Sequence, residues 1–181
     1  KFIRTHLKHF AIERNARFYA LGEDFSIRLQ NQALCFKDDA ALWKDLKLSL
    51  RGEFQKRNAA AVLKTISLLK TKGWPIPEAS IREGLLKTHF AGRMELVKTA
   101  PRLLLDIAHN MEGIRTLMRA IQRDYHFEKL YLVLGIMKDK NYPPIFKLIS
   151  KVADEIYFVE PAVERALKGE QLLERLPFLE N

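Results

Sequence analysis

Five short stretches of this chain carry side chains that could hold or transfer charged groups. In Leu105-Asp106-Ile-Ala-His109-Asn110, an apolar run delivers a carboxylate to the end of a predicted strand. A carboxylate in that position can accept hydrogen bonds from ribose hydroxyls. Asp106 and Asn110 can equally cap the helix expected next. In Gly135-Ile-Met-Lys-Asp139-Lys140, the glycine permits close backbone approach and Lys140 can meet a phosphate or carboxylate. An ordinary charged loop has the same composition. Gly92-Arg93-Met-Glu95 lies between two predicted units, where a guanidinium fork can clamp phosphate, or simply occupy a turn. Gln55 and Asn58 open a long helix, and their amides offer donor and acceptor together, as recognition of a base edge needs. Helix-end polarity explains them as well. Glu160-Pro161 ends another predicted strand, with Arg165 beyond it.

Other reactive side chains stand apart. His6 and His9 are three apart on one predicted helix, without a third ligand for zinc. His89 and His126 have no partner that the sequence identifies, and Cys35 reads as a core thiol. No metal-ligand set is predicted within the chain. A glycine-rich P-loop and a Gly-x-Gly-x-x-Gly turn are both missing, so the phosphate cradle of a complete ATP enzyme is not encoded here.

Periodicity supplies the elements that must position these groups. Residues 1–14 repeat apolar positions at helical spacing. A short strand is expected over Phe18–Leu21, then a turn at Gly22-Glu-Asp24. Strands from Phe25 and from Ala33 form a hairpin, and Leu46-Lys-Leu-Ser-Leu50 alternates like a third strand. A helix over Gln55–Lys72 turns Ala59, Val62, Leu63, Ile66 and Leu69 inward and stops at Gly73 before Pro75 and Pro77. A helix over Glu78–Thr88 buries Ile81, Leu85 and Leu86. Then the pattern changes to strand (102–106), helix (111–125), strand (129–135), helix (144–152), strand (155–159) and helix (170–175). Continuous apolar strands separated by helices predict an α/β fold with a doubly wound, mainly parallel sheet, each strand buried on both faces. Right-handed crossovers would bring the three strand ends to one edge, the usual ligand side. The boundary between a mixed, basic first unit and this second unit is expected between Thr88 and Pro101.

The 181 residues are 48% hydrophobic and 29% charged, enough for packed cores and too ordered in composition for a disordered chain. The net charge of +9 is uneven: residues 1–97 hold 18 basic and 10 acidic side chains. Such a field favours anionic partners. The basic residues are scattered and not interleaved with aromatics, so no nucleic-acid partner is expected. One cysteine fits a reducing compartment, and no apolar run reaches the roughly 20 residues that span a bilayer. The expectation is a cytoplasmic protein with no membrane partner.

Order and spacing bind these stretches together. Gly52-Glu-Phe-Gln55-Lys-Arg-Asn58-Ala-Ala resembles the "G-x-x-Q-x-x-N-A-A" segment of folylpolyglutamate synthases and dihydrofolate synthases, members of the Mur ligase superfamily. Phe90-Ala-Gly-Arg93-Met-Glu95 resembles their "W-P-G-R-x-E", Asp106 to Asn110 their "D-G-A-H-N", and Gly135 to Lys140 their "G-x-x-x-D-K-D". Pro161, Arg165 and Ala166 resemble "P-x-x-R-A" with one more residue between the proline and the arginine, and Gly22-Glu-Asp24-Phe25 is similar to "G-x-D-F". Departures are Phe54 for His, Phe90-Ala91 for Trp-Pro, Ile107 for Gly, Met111 for Pro and Asn141 for Asp.

The resemblance implies an ATP-dependent ligase that joins L-glutamate to dihydropteroate or to the glutamate tail of folate, through an acyl phosphate. It implies that residues 1–90 are the C-terminal part of the central ATP-binding domain. Residues 91–181 would be the C-terminal Rossmann-like domain, incomplete at its end. Asn58, with Gln55 beside it, would meet the nucleotide base, Arg93 the ATP phosphates and Asp106 the ribose. His109 and Lys140 would act near the reacting carboxylate or the incoming glutamate. The Mg²⁺ ligands and the P-loop would lie before Lys1, so a fragment inactive by itself, and monomeric, is expected. The alternatives are a Mur-type peptide ligase of cell-wall precursor synthesis and a non-catalytic nucleotide-binding module.

Overall fold

A computed structural model describes residues 2–30 and 33–176, arranged as two compact units, 1–90 and 91–181. In the first, helix α1 (Phe2–Glu13) precedes three strands, β1 (Ser26–Gln30), β2 (Ala33–Lys37) and β3 (Leu42–Leu46). They form an antiparallel sheet in the order β1-β2-β3. Helices α2 (Glu53–Thr71) and α3 (Glu78–Lys87) follow. Phe36, Leu46, Ala60 and Leu63 are buried at the centre of this unit, with Phe36 stacked on Trp43 at 5.3 Å between ring centroids. Each large side chain so buried contributes about 1.5–3 kcal/mol relative to exposure.

Four expectations fail here, two for strands, where tertiary pairing overrides local pattern, and two for the buried faces of helices. Residues 18–20 form no strand, and Leu21 makes only an isolated bridge to Phe25. The third strand is Leu42–Leu46 and not Leu46–Leu50, because Trp43 and Leu46 pair with Phe36 and Leu34 on β2. On α2 the buried stripe is Gln55, Ala59, Ala60, Leu63, Lys64 and Ser67. Val62 is therefore 51% exposed, and on α3 Leu86 is 54% exposed while Ile81 and Leu85 face the core. The helix end is as expected: Gly73 takes φ +87°, a left-handed conformation open to glycine.

The second unit begins with a hairpin that the sequence pattern did not predict. Strand β4 (Glu95–Thr99) pairs antiparallel with β5 (Arg102–Leu105) across a cis Ala100–Pro101 bond. Then come α4 (Met111–Asp124), β6 (Tyr131–Leu134), α5 (Pro143–Ile149), β7 (Glu155–Phe158) and α6 (Gly169–Arg175). Strands β6 and β7 pair in parallel, with Leu132 opposite Ile156 and Leu134 opposite Phe158. The α/β class holds, but the described strands form two pairs, β4-β5 and β6-β7, and not one ladder. An apolar cleft of about 320 Å³ lies between β5 and β6, floored by Ile114, Met118 and Ile121 of α4.

Burial on both faces is not observed either. Leu104, Leu132, Leu134, Ile156 and Phe158 pack on one core with α4, α5 and Leu172 of α6. The alternate residues Leu103, Leu105, Tyr131, Val133 and Tyr157 are exposed. Period two therefore divides each strand into a core face and an open face, as it does in any sheet.

Candidate functional site

Asp106 follows directly on β5, and its carboxylate is engaged by the main chain. Oδ1 accepts the Ala108 N–H at 2.7 Å and Oδ2 accepts the Met94 N–H at 2.9 Å. The Ile107 N–H in turn donates to the Gly92 carbonyl at 2.8 Å. Across the turn, Glu95 Oε2 accepts the Gly92 N–H at 2.8 Å. The segment carrying Arg93 is thus no loose linker. It is a turn at the head of β4, stitched to the end of β5, and Arg93 is half-buried in it.

The backbone of this turn is unusual on both sides of Arg93. Gly92 has φ +68° and Met94, only 1% exposed, has φ +48°. A Cβ on Gly92 would sit 2.6 Å from Cγ2 of Ile107. The Ile107 side chain therefore packs onto Gly92, and the two positions are sterically linked.

His109 is exposed, with Nδ1 3.1 Å from the Ile107 carbonyl. Asn110 caps α4: its Oδ1 accepts the Gly113 N–H at 2.8 Å. Of the two capping candidates, only Asn110 caps, and the Asp106 carboxylate serves the turn. Lys140 lies in the loop after β6 and pairs with Asp139 at 3.2 Å. Its ammonium, with Arg165 farther off, holds the Asp139 carboxyl below the usual carboxylate range. The loop is fixed by main-chain bonds from Lys138 N–H to Arg165 O and from Leu167 N–H to Ile136 O, both 2.9 Å. Gly135 has a packing reason, since a Cβ there would lie 2.8 Å from Cγ of Pro161. Glu160 accepts the Gly169 N–H and the Lys168 ammonium, which together lower its carboxyl.

The first unit holds the two amides. Asn58 is exposed and donates through Nδ2 to Oε1 of Gln55 at 2.9 Å, while Gln55 is 4% exposed on the inner face of α2. Gln55 thereby orients Asn58, which keeps its own carbonyl and a second N–H for a ligand.

One polar cluster escaped the sequence reading. Lys64 is buried on α2, its Nζ 2.9 Å from Asp38 Oδ2 and 3.0 Å from Asp39 Oδ1, and 4.7 Å from the centre of the Tyr19 ring. Burial pushes the Asp38 carboxyl up, but hydrogen bonds from Lys64 and from the Ala40 and Ala41 amides outweigh it and the carboxyl is lowered. The buried Ser67 hydroxyl, outside normal hydrogen-bond geometry, lowers it further, second to Lys64 and ahead of the two amides. Burial alone would lower the Lys64 ammonium, yet its two aspartates raise it. A lysine at helical spacing with the apolar stripe was the available signal. Among the described residues no group of three or more His, Cys, Asp or Glu side chains could hold a metal ion, and no helix is long and apolar enough to cross a membrane.

Residues 92–180 match the family "Mur ligase, glutamate ligase domain". The chain is 30% identical over 173 residues to the dihydrofolate synthase/folylpolyglutamate synthase of Bacillus subtilis, covering 92% of this chain and 40% of that protein. The UDP-N-acetylmuramyl-tripeptide synthetase of Lactococcus lactis is 31% identical over 147 residues, covering 76% of this chain and 29% of its own length. Escherichia coli FolC, solved in complex with DHPP and ADP, superposes with a TM-score of 0.84 at 25% identity, over 96% of this chain and 40% of that one. The second unit therefore carries the match to the Mur ligase, glutamate ligase domain. Similar proteins include folylpolyglutamate and dihydrofolate synthases, of whose length the chain spans about 30–40%.

Proposed function

We propose that these two units serve an ATP-dependent amide-forming ligase that adds L-glutamate to dihydropteroate, to the glutamate tail of folate, or to both, in the cytoplasm. The observation that carries the reading is a similarity to the folate-pathway ligases that runs through both units. Residues 1–90 are assigned to the C-terminal part of the central ATP-binding domain and 91–181 to the C-terminal domain.

The chemistry follows from charge. A carboxylate oxygen of the pteroate or folate attacks the γ-phosphorus of ATP, and the bond to the β-phosphate oxygen breaks to release ADP. The glutamate amine then attacks the acyl carbon, loses a proton, and expels phosphate. Both steps bring anions together, so cations must neutralise them. Arg93 supplies one such charge to the phosphates, on a turn held rigid by main-chain bonds. Asp106 keeps lone pairs beyond its two amide bonds and offers them to the ribose hydroxyls. Asn58, oriented by Gln55, meets the base. His109, exposed at the turn before α4, and Lys140, beside Asp139, face the carboxylates of the acceptor or of glutamate. Mg²⁺ would screen the phosphates when bound, and among the described residues no group of three or more His, Cys, Asp or Glu side chains could hold it.

A peptide ligase of cell-wall precursor synthesis is the second reading, favoured by the similarity to the Lactococcus lactis enzyme. ADP release by the ligase containing these units separates the two. Turnover with glutamate and dihydropteroate or folate is expected. Turnover only with a cell-wall nucleotide precursor overturns the folate reading. The 181-residue chain alone is expected to form no ADP from any of these mixtures.

A further inference from the structure

Carboxylates near a nucleotide site usually face ligand, metal or water, yet Glu95 and Asp106 are bound to the main chain on either side of Arg93. Gly92 N–H donates to Glu95, Met94 N–H donates to Asp106, and the Gly92 carbonyl receives the Ile107 N–H. Ionised acceptors make these amide bonds stronger than neutral ones. They hold a backbone that resists its own conformation, because Met94 sits at φ +48° without being glycine. Such a residue persists only where its surroundings over-determine it. Gly92 has no room for a side chain, so the turn cannot relax toward Ile107.

We propose that Glu95 and Asp106 are positioning residues that fold and pin the Gly92–Met94 turn and so fix the backbone from which Arg93 reaches phosphate. The proposal rests on the reading of Arg93 as a phosphate contact. It gives Asp106 a second task beside the ribose and gives Glu95 a task without any ligand contact. Sugar recognition and phosphate contact then share one carboxylate, and a disturbed ribose side would be felt at Arg93.

A double-mutant cycle in the ligase containing these units tests it. Glu95→Ala is expected to lower kcat/KM for ATP about tenfold and leave KM for glutamate within about twofold, while Glu95→Gln, which keeps a carbonyl for the Gly92 amide, recovers most of the loss. In an Arg93→Ala background, Glu95→Ala should add almost nothing, since its only route of action is gone. Losses that multiply, or a Glu95→Ala enzyme with normal ATP kinetics, overturn the proposal. For Asp106→Asn, equal losses with ATP and with 2′,3′-dideoxy-ATP support the turn-holding task, and a loss confined to ATP refutes it. Amide exchange in the 181-residue chain decides the geometry separately. Gly92 and Met94 should be protected, and should lose protection in Glu95→Ala and Asp106→Asn respectively. Unprotected amides in the wild type overturn the latch even if Arg93 binds phosphate. Normal ATP kinetics in Arg93→Ala defeat the nucleotide reading while exchange still judges the latch.

Discussion

In the first unit a lysine enters the core with its counter-ion, whereas in the second the carboxylates stay half-exposed and grip main-chain amides. The Lys64–Asp38 pair joins α2 to the turn between β2 and β3, inside the layer that also carries Gln55. Glu95 and Asp106 shape a turn and contribute no apolar burial. The comparison teaches where polar groups carry stability and where they carry geometry. Removing one partner of a covered ion pair strands the other, while removing a turn acceptor frees a few main-chain atoms.

The largest effect should come from the first unit. Lys64→Met is expected to destabilise it by about 3 kcal/mol, read as a lower urea midpoint. Lys64→Met with Asp38→Asn should recover most of that, because the only charge left without its partner is the exposed Asp39 and the amide oxygen still serves the Ala41 N–H. A double variant as unstable as the single one would break the contrast.

Acid and alkali probe the same pair with opposite signs. Asp38 titrates lower in the folded state than its ordinary 3.8. Its contribution is therefore full above that ordinary value and is lost as pH falls through the lowered one. Lys64 titrates above its ordinary 10.5, so its contribution is full below that value and is lost as pH rises through the raised one. Urea midpoints of the wild type should fall at both extremes, and the Lys64→Met, Asp38→Asn variant should lose both of these components.

In the second unit Gly92→Ala should cost about 1–3 kcal/mol, combining a left-handed φ with the Ile107 clash. Adding Ile107→Ala removes the clash and leaves about 1 kcal/mol of backbone strain. Thermal unfolding of the two variants sharpens the claim that these positions are coupled. Asn110→Ala, the smallest change, should cost about 1 kcal/mol through the lost cap on α4. It should leave the Gly92 and Met94 amides as protected as before.

Much of this could be read from residue order. The hairpin from Phe25 to Phe36, the long α2 with its Gly73 stop, and the alternation of strands and helices after residue 102 all rest on periodicity and punctuation, which are local. What escaped was non-local. Leu46, Leu48 and Leu50 alternate like a strand, but β2 chooses Leu42–Leu46 as its partner. Glu95-Leu-Val-Lys-Thr99 does not alternate, and only pairing with β5 reveals it as β4. Lys64 looks like one more solvated helix charge until Asp38 arrives from another element. The site fared similarly: the positions of Asp106 and Arg93 at turns were visible as motifs, while the hydrogen bonds that join them cross a hairpin the pattern did not show.

The central proposal is that Asn58 and Arg93 each contact ATP, and kinetics of Asn58→Ala and Arg93→Ala in the ligase containing them tests it most directly. The account predicts that each lowers kcat/KM for ATP, Arg93→Ala by about 100-fold, with KM for glutamate and the urea midpoint nearly unchanged. Unchanged ATP kinetics in either variant would contradict it.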